Sequence, residues 1–252
     1  MGSGSAGNSI LVCSDKAKVL IDAGLSTKET EGRLEELSVD PSELQGILIS
    51  HEHTDHLRSA GILARKYKMP LFMNEATLSA ARDRLGHVDQ LEIFETNKKF
   101  QLMDFVIEPF SVLHDAADPV CFCVCLRDRK LGIATDLGKS TALVHQMLRQ
   151  SHVLILESNH DSEMLLSGPY PWWLKQRIRG TFGHLSNDDS QSLLREVLHH
   201  ELKSVVLAHL SEKNNHCALA RQSAAQVLQE REDIKVDLKI AVQHQIGGII
   251  EI

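Results

Sequence analysis

Three histidines and one aspartate fall within six residues of the segment ILISHEHTDHL, at His51, His53, Asp55 and His56. His51 and His53 are two residues apart, so an extended chain directs both imidazoles to one side. Asp55 and His56 follow where we expect the chain to turn into a helix, an arrangement that favours two metal ions over one. The zinc-protease motif HExxH is excluded, because Asp55 stands where that motif requires its second histidine.

Three further residues of the same kinds close apolar runs: His114 ends FSVLH, Asp136 ends GIATD and His209 ends VVLAH. An open α/β architecture places its ligands at the carboxyl ends of strands, so we expect these side chains to meet the first cluster. Each is a weak signal alone, since a single histidine at a strand end is commonly a hydrogen-bonded core or surface residue. Neutral imidazole and carboxylate are the ligands expected for Zn²⁺ or Mn²⁺, with Fe²⁺ as a third candidate. Together the motifs predict two divalent metal ions per chain.

The elements that must hold these residues alternate between strands and helices, after a glycine-rich turn (GSGSAGNS) that feeds a hairpin. We predict strands at residues 46–50, 71–73, 91–94, 100–113, 120–135 with a charged turn at 128–130, 153–157, 204–208 and 235–242. We predict helices at residues 57–67, 75–85, 140–150, 187–200 and 216–230.

A length of 252 residues with 42% hydrophobic content suits a single domain spanning residues 1–252. No apolar run approaches the roughly 18 residues that a bilayer requires, so no membrane helix is expected. The N-terminus lacks a secretory pattern and the five cysteines do not suit a disulfide framework, so the cytoplasm is the expected compartment. Cys121, Cys123 and Cys125 recur at a spacing of two, which predicts small core side chains on one strand face.

The net charge of −7 argues against a broad nucleic-acid footprint but leaves room for a local basic track. The segment YPWWLKQRIRG offers Lys175, Arg177 and Arg179 beside Trp172 and Trp173. Two interpretations stay open. The segment is either an ordinary helix with a solvated basic face, or a surface where bases stack on tryptophan beside phosphate-binding cations.

The order HxHxDH, then histidine, aspartate and histidine at strand ends, resembles the metallo-β-lactamase superfamily over almost the whole chain. The resemblance implies an α/β fold, a four-layer αββα sandwich with the site at one edge of its two sheets. An earlier strand ends at Asp22, which the resemblance places in hydrogen-bonding contact near the ligand loop, where a carboxylate fixes an imidazole tautomer. It assigns two metal ions to these ligands: His51, His53, His114 and a bridging Asp136 for one, and Asp55, His56, the same Asp136 and His209 for the other.

Details of the motifs separate the branches of this superfamily. The antibiotic-degrading branch is secreted and commonly uses a cysteine ligand, where this chain has Asp136, and the diiron oxygen-reducing branch resembles HxExDH, where this chain has His53. The motifs HDAADP, ESNHD, GPYPWWLKQRI, GHLSN and LAHLSEKNN instead resemble the bacterial YycJ, WalJ and VicX subgroup, regarded as DNA exonucleases acting from the 5′ end. Because that subgroup usually has a few strand residues before the glycine turn, we expect the recorded start to be short by several residues.

Nucleases of this superfamily carry a histidine in a GH[LM]S-type motif that contacts the scissile phosphate and assists the leaving group, and the resemblance assigns this role to His184. Capping or packing beside the helix that starts at Asn187 is the alternative for His184. Glu157 is a candidate to orient His184, as a carboxylate does in an acid–base relay. Asp55 is the second catalytic candidate, because a ligating carboxylate also orients an attacking hydroxide. Candidates to line the substrate path are Asn8, Ser186, Asn214 and Asn215.

Three functions are compatible with these motifs. The first is a two-metal phosphodiesterase, a 5′-3′ exonuclease on single-stranded or nicked DNA ends. The second is hydrolysis of a small thioester, lactone or cyclic phosphodiester, which the acidic net charge favours and the same ligands serve. Only 72 residues separate Asp136 from His209, too few for the large inserted domain of RNA-processing relatives. The third, a metal-bound protein without catalysis, predicts loss of ligands, whereas every ligand position here is filled.

Overall fold

The computed structural model describes residues 1–231 and 233–252. The chain forms two β-sheets, the first from residues before about 95 and the second from the residues after it. The first sheet contains, in spatial order, β1 (Ile10–Cys13), β2 (Lys18–Ile21), β3 (Gly46–Leu48), β4 (Leu71–Met73) and β5 (Leu91–Ile93). The second contains, also in spatial order, β6 (Phe100–Leu102), β7 (Phe105–Ser111), β8 (Val120–Leu126), β9 (Arg129–Ala134), β10 (Val153–Glu157), β11 (Ser204–Ala208) and β12 (Asp237–Ile240). Strands β2 to β5 and β9 to β12 run parallel, while β1 pairs antiparallel with β2 and β6 to β9 form an antiparallel meander.

Helices cover the outer face of each sheet. The described helices are α1 (Thr27–Glu36), α2 (Thr54–Leu57), α3 (Ala60–Tyr67), α4 (Glu75–Leu85), α5 (Ala142–Leu148), α6 (Ser162–Ser167), α7 (Trp172–Ile178), α8 (Asn187–Val197) and α9 (Cys217–Gln229). One apolar cluster joins the first sheet to α1, α3 and α4, a second joins the other sheet to α5, α8 and α9, and a third lies between the sheets. These three cores give the four-layer αββα order that the sequence resemblance implied. None of the helices in the described residues combines the length and apolar content needed to cross a bilayer.

Short apolar runs bounded by polar caps explain why these elements form where they do. The strands GIL, VLILE and SVVLA are covered on both faces, as interior parallel strands require. Ser186 caps α8 with a capping box to Asp189, and Asn74 caps α4 through the backbone N–H of Thr77. The predicted strands at 71–73, 153–157 and 204–208 and the predicted helix at 75–85 are confirmed at these bounds.

The predicted strand at 100–113 is interrupted by a hairpin turn, and the turn predicted at 128–130 within residues 120–135 is present slightly earlier. A turn at residues 103–104 separates β6 from β7, and one at residues 127–128 separates β8 from β9. Met103 and Arg127 take the left-handed conformation in these turns, with φ of 55° and 53°, which neither residue type signals in a sequence. The predicted helix from residue 57 also begins earlier, at Thr54, and is divided into α2 and α3.

Two helices, α1 and α6, were not predicted. Helix α1 reads TKETEGRLEE and buries only Thr30 and Leu34, so it lacks the apolar stripe by which a helix is recognised. The cysteine prediction is confirmed for Cys121 and Cys123, which β8 buries on the face covered by α5, whereas Cys125 is only half-buried. Their thiols contact backbone carbonyls of Thr135 and Met147.

The strand directions bring the candidate ligands to one edge of the sandwich. β3, β9 and β11 end there, and β7 ends there too because two antiparallel steps separate it from β9. The chain therefore reaches His51, His114, Asp136 and His209 on leaving four different strands. This convergence is the tertiary arrangement that the strand-end motifs predicted.

Two helical glycines give a direct test of this packing. A Cβ at Gly61 in α3 would lie 2.0 Å from the carbonyl oxygen of Leu85, whereas a Cβ at Gly32 in α1 meets nothing within 4 Å. We expect Gly61→Ala to destabilise the protein by about 1–3 kcal/mol through overpacking. Gly32→Ala should stabilise it by about 0.5–1 kcal/mol, since alanine restricts the unfolded chain. Urea unfolding of both variants measures the two effects, and equal changes would contradict the tight contact between α3 and α4.

Candidate metal centre

The loop after β3 presents its histidines from a strand end and a single helical turn. His51 is buried in the loop, and His53 occupies the N-cap position of α2 with 30% of its side chain exposed. Asp55 and His56 lie in the first turn of α2, where His56 has no exposed surface. The ring of His51 is centred 4.6 Å from that of His53 and 4.2 Å from that of His56. The four residues of the sequence motif thus form one cluster.

Two of the other candidate ligands, and the supporting Asp22, leave their strands in unusual backbone conformations. Asp136 and His209 have φ of 59° and 55°, and Asp22 after β2 has φ of 61°. Each such residue costs about 1–3 kcal/mol when it is not glycine, and persists only where its surroundings impose it. Here the left-handed turn aims each side chain across the sheet edge, toward the cluster on α2.

The ligand atoms form neighbouring groups, and Asp136 lies between the first two. Within each set the ligand atoms lie no more than 4.8 Å apart, and the first two sets are His51, His53 and His114, and Asp55, His56, Asp136 and His209. A third set, Asp136, Glu157, His184 and His209, shares two residues with the second. Asp136 Oδ2 lies 3.2 Å from His56 Nε2, and Asp136 Oδ1 lies 3.9 Å from His114 Nε2. Asp136 therefore faces both sets, as a bridging ligand would.

Two buried ligand atoms lack hydrogen-bond partners among the described residues. They are His51 Nε2 and Asp136 Oδ2, and both point into the cluster. An unpartnered buried polar atom costs about 1–3 kcal/mol, so each of these two atoms calls for a partner. A divalent cation would satisfy both atoms, and the imidazole and carboxylate donors suit such an ion. The residues present therefore fit a two-metal site.

Asp22 holds the ligand loop from the first sheet. Its Oδ2 is 2.7 Å from His56 Nδ1 and accepts the Ser50 hydroxyl at 2.9 Å, while Oδ1 accepts the Ser50 backbone N–H at 2.8 Å. The same hydroxyl is 2.9 Å from His51 Nδ1. These contacts leave the Nε2 atoms of both rings for metal ions, which is the role the resemblance implied for Asp22.

Glu157, at the end of β10, holds the opposite side and is completely buried. Its oxygens lie 2.7 Å from His209 Nδ1 and 2.9 Å from His184 Nδ1. They also accept three backbone N–H groups, those of Asp136, Leu137 and Leu185, at 3.0–3.2 Å. The predicted contact between Glu157 and His184 is present, but Glu157 also holds a candidate ligand and the Asp136 turn. Helix α8 is capped by Ser186, so the capping alternative for His184 is wrong.

Burial and charge divide the histidines into two kinds. Burial lowers the pKa of His51 and His114, which keeps these imidazoles neutral and able to bind metal. Burial also disfavours charge on His56 and His209, but the surrounding carboxylates, Asp136 foremost, raise the pKa of both rings well above the ordinary value. Protons and metal ions therefore compete for these two histidines, and metal binding should release protons.

The cluster opens into a cavity of about 410 Å³. Its walls carry the two candidate catalytic residues, Asp55 and His184, and residues from the glycine turn, α4 and α7, namely Ser5, Arg84, Tyr170, Leu174, Arg177 and Ile178. Arg177 Nε donates to Asp115 Oδ2 at 2.5 Å, and Asp115 Oδ1 is 3.5 Å from His114 Nε2. Sequence analysis did not identify this ion pair, because nothing in the sequence links Asp115 to a residue 62 positions away.

The four polar residues proposed to line the substrate path are all buried, and that prediction is wrong. Asn8 Nδ2 is 3.1 Å from His56 Nε2 and 3.3 Å from Asp55 Oδ2, so Asn8 contacts the ligands from behind. Ser186 caps α8, and Asn215 bonds Asn187 and the Ser158 carbonyl. The backbone carbonyl of Asn214 accepts from Asp161. None of the four belongs to the cavity wall, and the side chains of Asn8, Ser186 and Asn215 bond buried backbone groups instead.

Comparison with known proteins gives one family and two similar proteins. The family model for the metallo-beta-lactamase superfamily matches residues 2–167. The chain is 40% identical over 233 residues to exodeoxyribonuclease YycJ of Bacillus anthracis, covering 92% of this chain and 88% of that protein. It is 39% identical over 245 residues to exodeoxyribonuclease WalJ of Streptococcus pneumoniae serotype 2, covering 95% of this chain and 91% of that protein.

Solved structures share the fold at low sequence identity. The metallo-beta-lactamase fold protein YhfI from Bacillus subtilis aligns with a TM-score of 0.75 and 16% identity, covering 96% of this chain and 93% of that one. The short form of human tRNase Z aligns with a TM-score of 0.69 and 15% identity, covering 99% of this chain and 98% of that one. These similarities establish the architecture alone.

Asp136 gives the sharpest test of the metal centre. We expect the wild-type protein to retain two divalent ions per chain and to lose thermal stability when a chelator removes them. In Asp136→Asn the new side chain has the same shape and tolerates the left-handed backbone, but it lacks the negative charge that both metal ions would share. This variant should retain less than one ion per chain, and its thermal stability should change little with chelator. Asp128→Asn, at the opposite end of β9 and 79% exposed, is the matched control. Metal analysis after dialysis measures both, and full occupancy in Asp136→Asn would refute a bridging role.

Glu157 gives a second test, which concerns the positioning of the candidate ligand His209 and not the direct binding of metal. A glutamine at this position offers one acceptor oxygen to five donors, so we expect Glu157→Gln to cost at least about 1–3 kcal/mol. Metal affinity should fall about 10- to 100-fold, because His209 loses its orienting carboxylate. Chemical unfolding and metal titration measure the two effects, with the exposed Glu196→Gln on α8 as control. An unchanged metal affinity would show that Glu157 does not position His209.

Proposed function

The chain belongs to the metallo-β-lactamase superfamily, and from this premise we propose that it is a dinuclear metal-dependent phosphodiesterase that digests DNA from its ends. The observation that supports hydrolysis most is that two ligand sets meet at Asp136 beside an open cavity. DNA as the substrate is supported by the relatives, which are named exodeoxyribonucleases and match over nine-tenths of the chain. Both sheets donate ligands, so we also propose that residues 1–252 act as one domain.

We assign one metal ion to His51, His53, His114 and Asp136, and the other to Asp55, His56, Asp136 and His209. Divalent ions at such a site activate water and offset the negative charge of a phosphodiester. Imidazole and carboxylate donors without a thiolate favour Zn²⁺ or Mn²⁺, with Fe²⁺ as the third candidate. Asp55 lies in the cavity wall, where its carboxylate orients the attacking water and accepts a hydrogen bond from it.

His184 is the proposed proton donor to the leaving oxygen. Its Nδ1 is held at 2.9 Å by Glu157, so its Nε2 is the nitrogen left for substrate. The ring lies in the cavity wall with 21% of its side chain exposed. General acid catalysis by a positioned histidine contributes about 100- to 10,000-fold to a rate.

A small-molecule hydrolase is the second candidate. The net charge of −7 weakens long-range attraction for DNA, and a cavity of about 410 Å³ lies within the range of small-ligand sites. The same ligands would serve a thioester, a lactone or a cyclic phosphodiester. Two arginines in the cavity wall, Arg84 and Arg177, favour a phosphodiester over an uncharged ester.

We expect metal-dependent digestion of DNA by the purified protein. Oligonucleotides labelled at either the 5′ or the 3′ end, single-stranded and double-stranded, are incubated with the chelated protein and with Mn²⁺ or Zn²⁺ added back. Early release of a labelled mononucleotide from the 5′-labelled strand alone is the expected result, since the sequence resemblance predicts digestion from the 5′ end.

The controls separate ligation from proton transfer. His53→Ala and Asp136→Asn should abolish digestion through metal loss, whereas His184→Ala should retain metal and lose about 100-fold or more in rate. No digestion of DNA, together with metal-dependent cleavage of a small thioester or phosphodiester, would replace the nuclease by the small-molecule hydrolase. No turnover on any of these substrates, in a protein that retains its metal, would refute hydrolysis altogether.

A further inference from the structure

We propose that one face of α7 and the loop after it form the surface that binds unpaired DNA beside the catalytic cavity. The surface consists of Tyr170, Trp173, Arg177 and Phe182, and is called here the α7 surface. The inference rests on the proposed nuclease function and adds to it a substrate form, single-stranded DNA, and the residues that bind this form.

Helix spacing joins the α7 surface to the cavity. Tyr170, Leu174, Arg177 and Ile178 line the cavity and recur at intervals of three and four, so this side of α7 forms part of the wall. Trp173 precedes Arg177 by four residues and is therefore its neighbour on the helix surface. The exposed ring of Trp173 thus lies beside the cavity mouth.

Arg177 supplies a phosphate-binding cation next to the proposed metal ligands. Its guanidinium is anchored by Asp115, whose other oxygen is 3.5 Å from His114 Nε2 and 3.9 Å from His53 Nε2. More than half of the Arg177 side chain is nevertheless exposed, at 55%. A guanidinium presents five N–H groups, so Arg177 can keep its bond to Asp115 while it binds a phosphate adjoining the reacting one.

Large aromatic side chains are exposed around this cation. Trp173 is 64% exposed and Phe182 is 55% exposed. The Phe182 carbonyl accepts the backbone N–H of Asp115 at 3.1 Å, which ties that loop to the same ion pair. On the other side, Lys213 Nζ lies 5.7 Å from the centre of the Tyr170 ring. Exposed aromatic rings interleaved with cations are the pattern by which proteins bind single-stranded nucleic acid.

The structure corrects both interpretations of the basic segment at Lys175, which the sequence analysis placed among the exposed cations. Lys175 is buried, and its Nζ donates to the Leu166 carbonyl at 2.6 Å, so α7 does not present a continuous basic face to solvent. Trp172 precedes Arg177 by five residues, so helix spacing does not make the two neighbours, whereas Trp173 precedes Arg177 by four. Arg177 lines the cavity, and Trp173 is the tryptophan beside it on the helix surface. The bases that stack on Trp173 must be unpaired, because a duplex hides the base faces that stacking requires.

The chain's two tryptophans allow a direct optical test. Trp172→Phe leaves Trp173 as the only indole, and Trp173→Phe leaves Trp172. With metal bound and His184→Ala added to prevent digestion, we expect a 20-nucleotide oligo-dT to quench the fluorescence of Trp173 strongly and that of Trp172 little. A blunt duplex of equal length should quench Trp173 less. Equal quenching of Trp172 and Trp173, or no quenching at saturating oligo-dT, would refute the proposal that the α7 surface binds unpaired DNA.

Binding measurements separate stacking from charge. By fluorescence anisotropy, Trp173→Ala should weaken oligo-dT binding about fivefold or more at every salt concentration, leaving the salt slope unchanged. Arg177→Gln should reduce the slope of log affinity against log salt by about one. The exposed Trp172→Ala and Arg179→Gln are matched controls that should behave as the parent. If Trp173→Ala and Arg177→Gln bind oligo-dT as the parent does, the inference is refuted even if the wild-type protein digests DNA. If the wild-type protein does not digest DNA, the proposed nuclease function is refuted instead.

Discussion

The buried carboxylate of Glu157 is the interaction on which the site depends. A completely buried charge is stable only when its oxygens are fully hydrogen-bonded, and Glu157 meets this condition with the turn at Asp136, the loop at Leu185, and two histidine rings. Burial opposes its ionisation, but the charges and hydrogen bonds of His184 and His209 hold the pKa of Glu157 below its ordinary value. One side chain thereby positions a metal ligand, a proton donor and the turn that carries the shared ligand.

Asp22 performs the equivalent task on the first sheet, so the centre is supported symmetrically by two buried acids. Each follows or ends a parallel strand, and each binds the Nδ1 atom of a candidate ligand, His56 for Asp22 and His209 for Glu157. The interior of the sandwich thus provides rigid acceptors behind the ligands. The strained conformations of Asp22, Asp136 and His209 are the local cost of turning side chains from two sheets toward one another.

The candidate metal ligands and the proposed binding surface lie on the same cavity. Ligands fill the floor of the cavity, while α7 forms one wall with an arginine and exposed aromatic rings outside it. The net charge of −7 disfavours long-range attraction of DNA, so the proposed affinity must be local, and we propose that the α7 surface provides it through stacking and charge. A preference for unpaired ends would then follow from the binding surface, and hydrolysis from the metal centre.

Sequence alone determined the ligand chemistry and most interior strands, because both depend on local spacing: HxHxDH lies within six residues, and buried strands are short apolar runs. It suggested the Glu157 contact to His184 but not that Glu157 also holds His209. It missed α1 and α6, whose stability comes from caps and neighbours and not from an apolar stripe. Only the tertiary structure decided that Lys175 is buried and that Asp115 anchors Arg177. The physical reason is that these contacts join residues far apart in the chain, whose distances are set by how the sheets and helices pack.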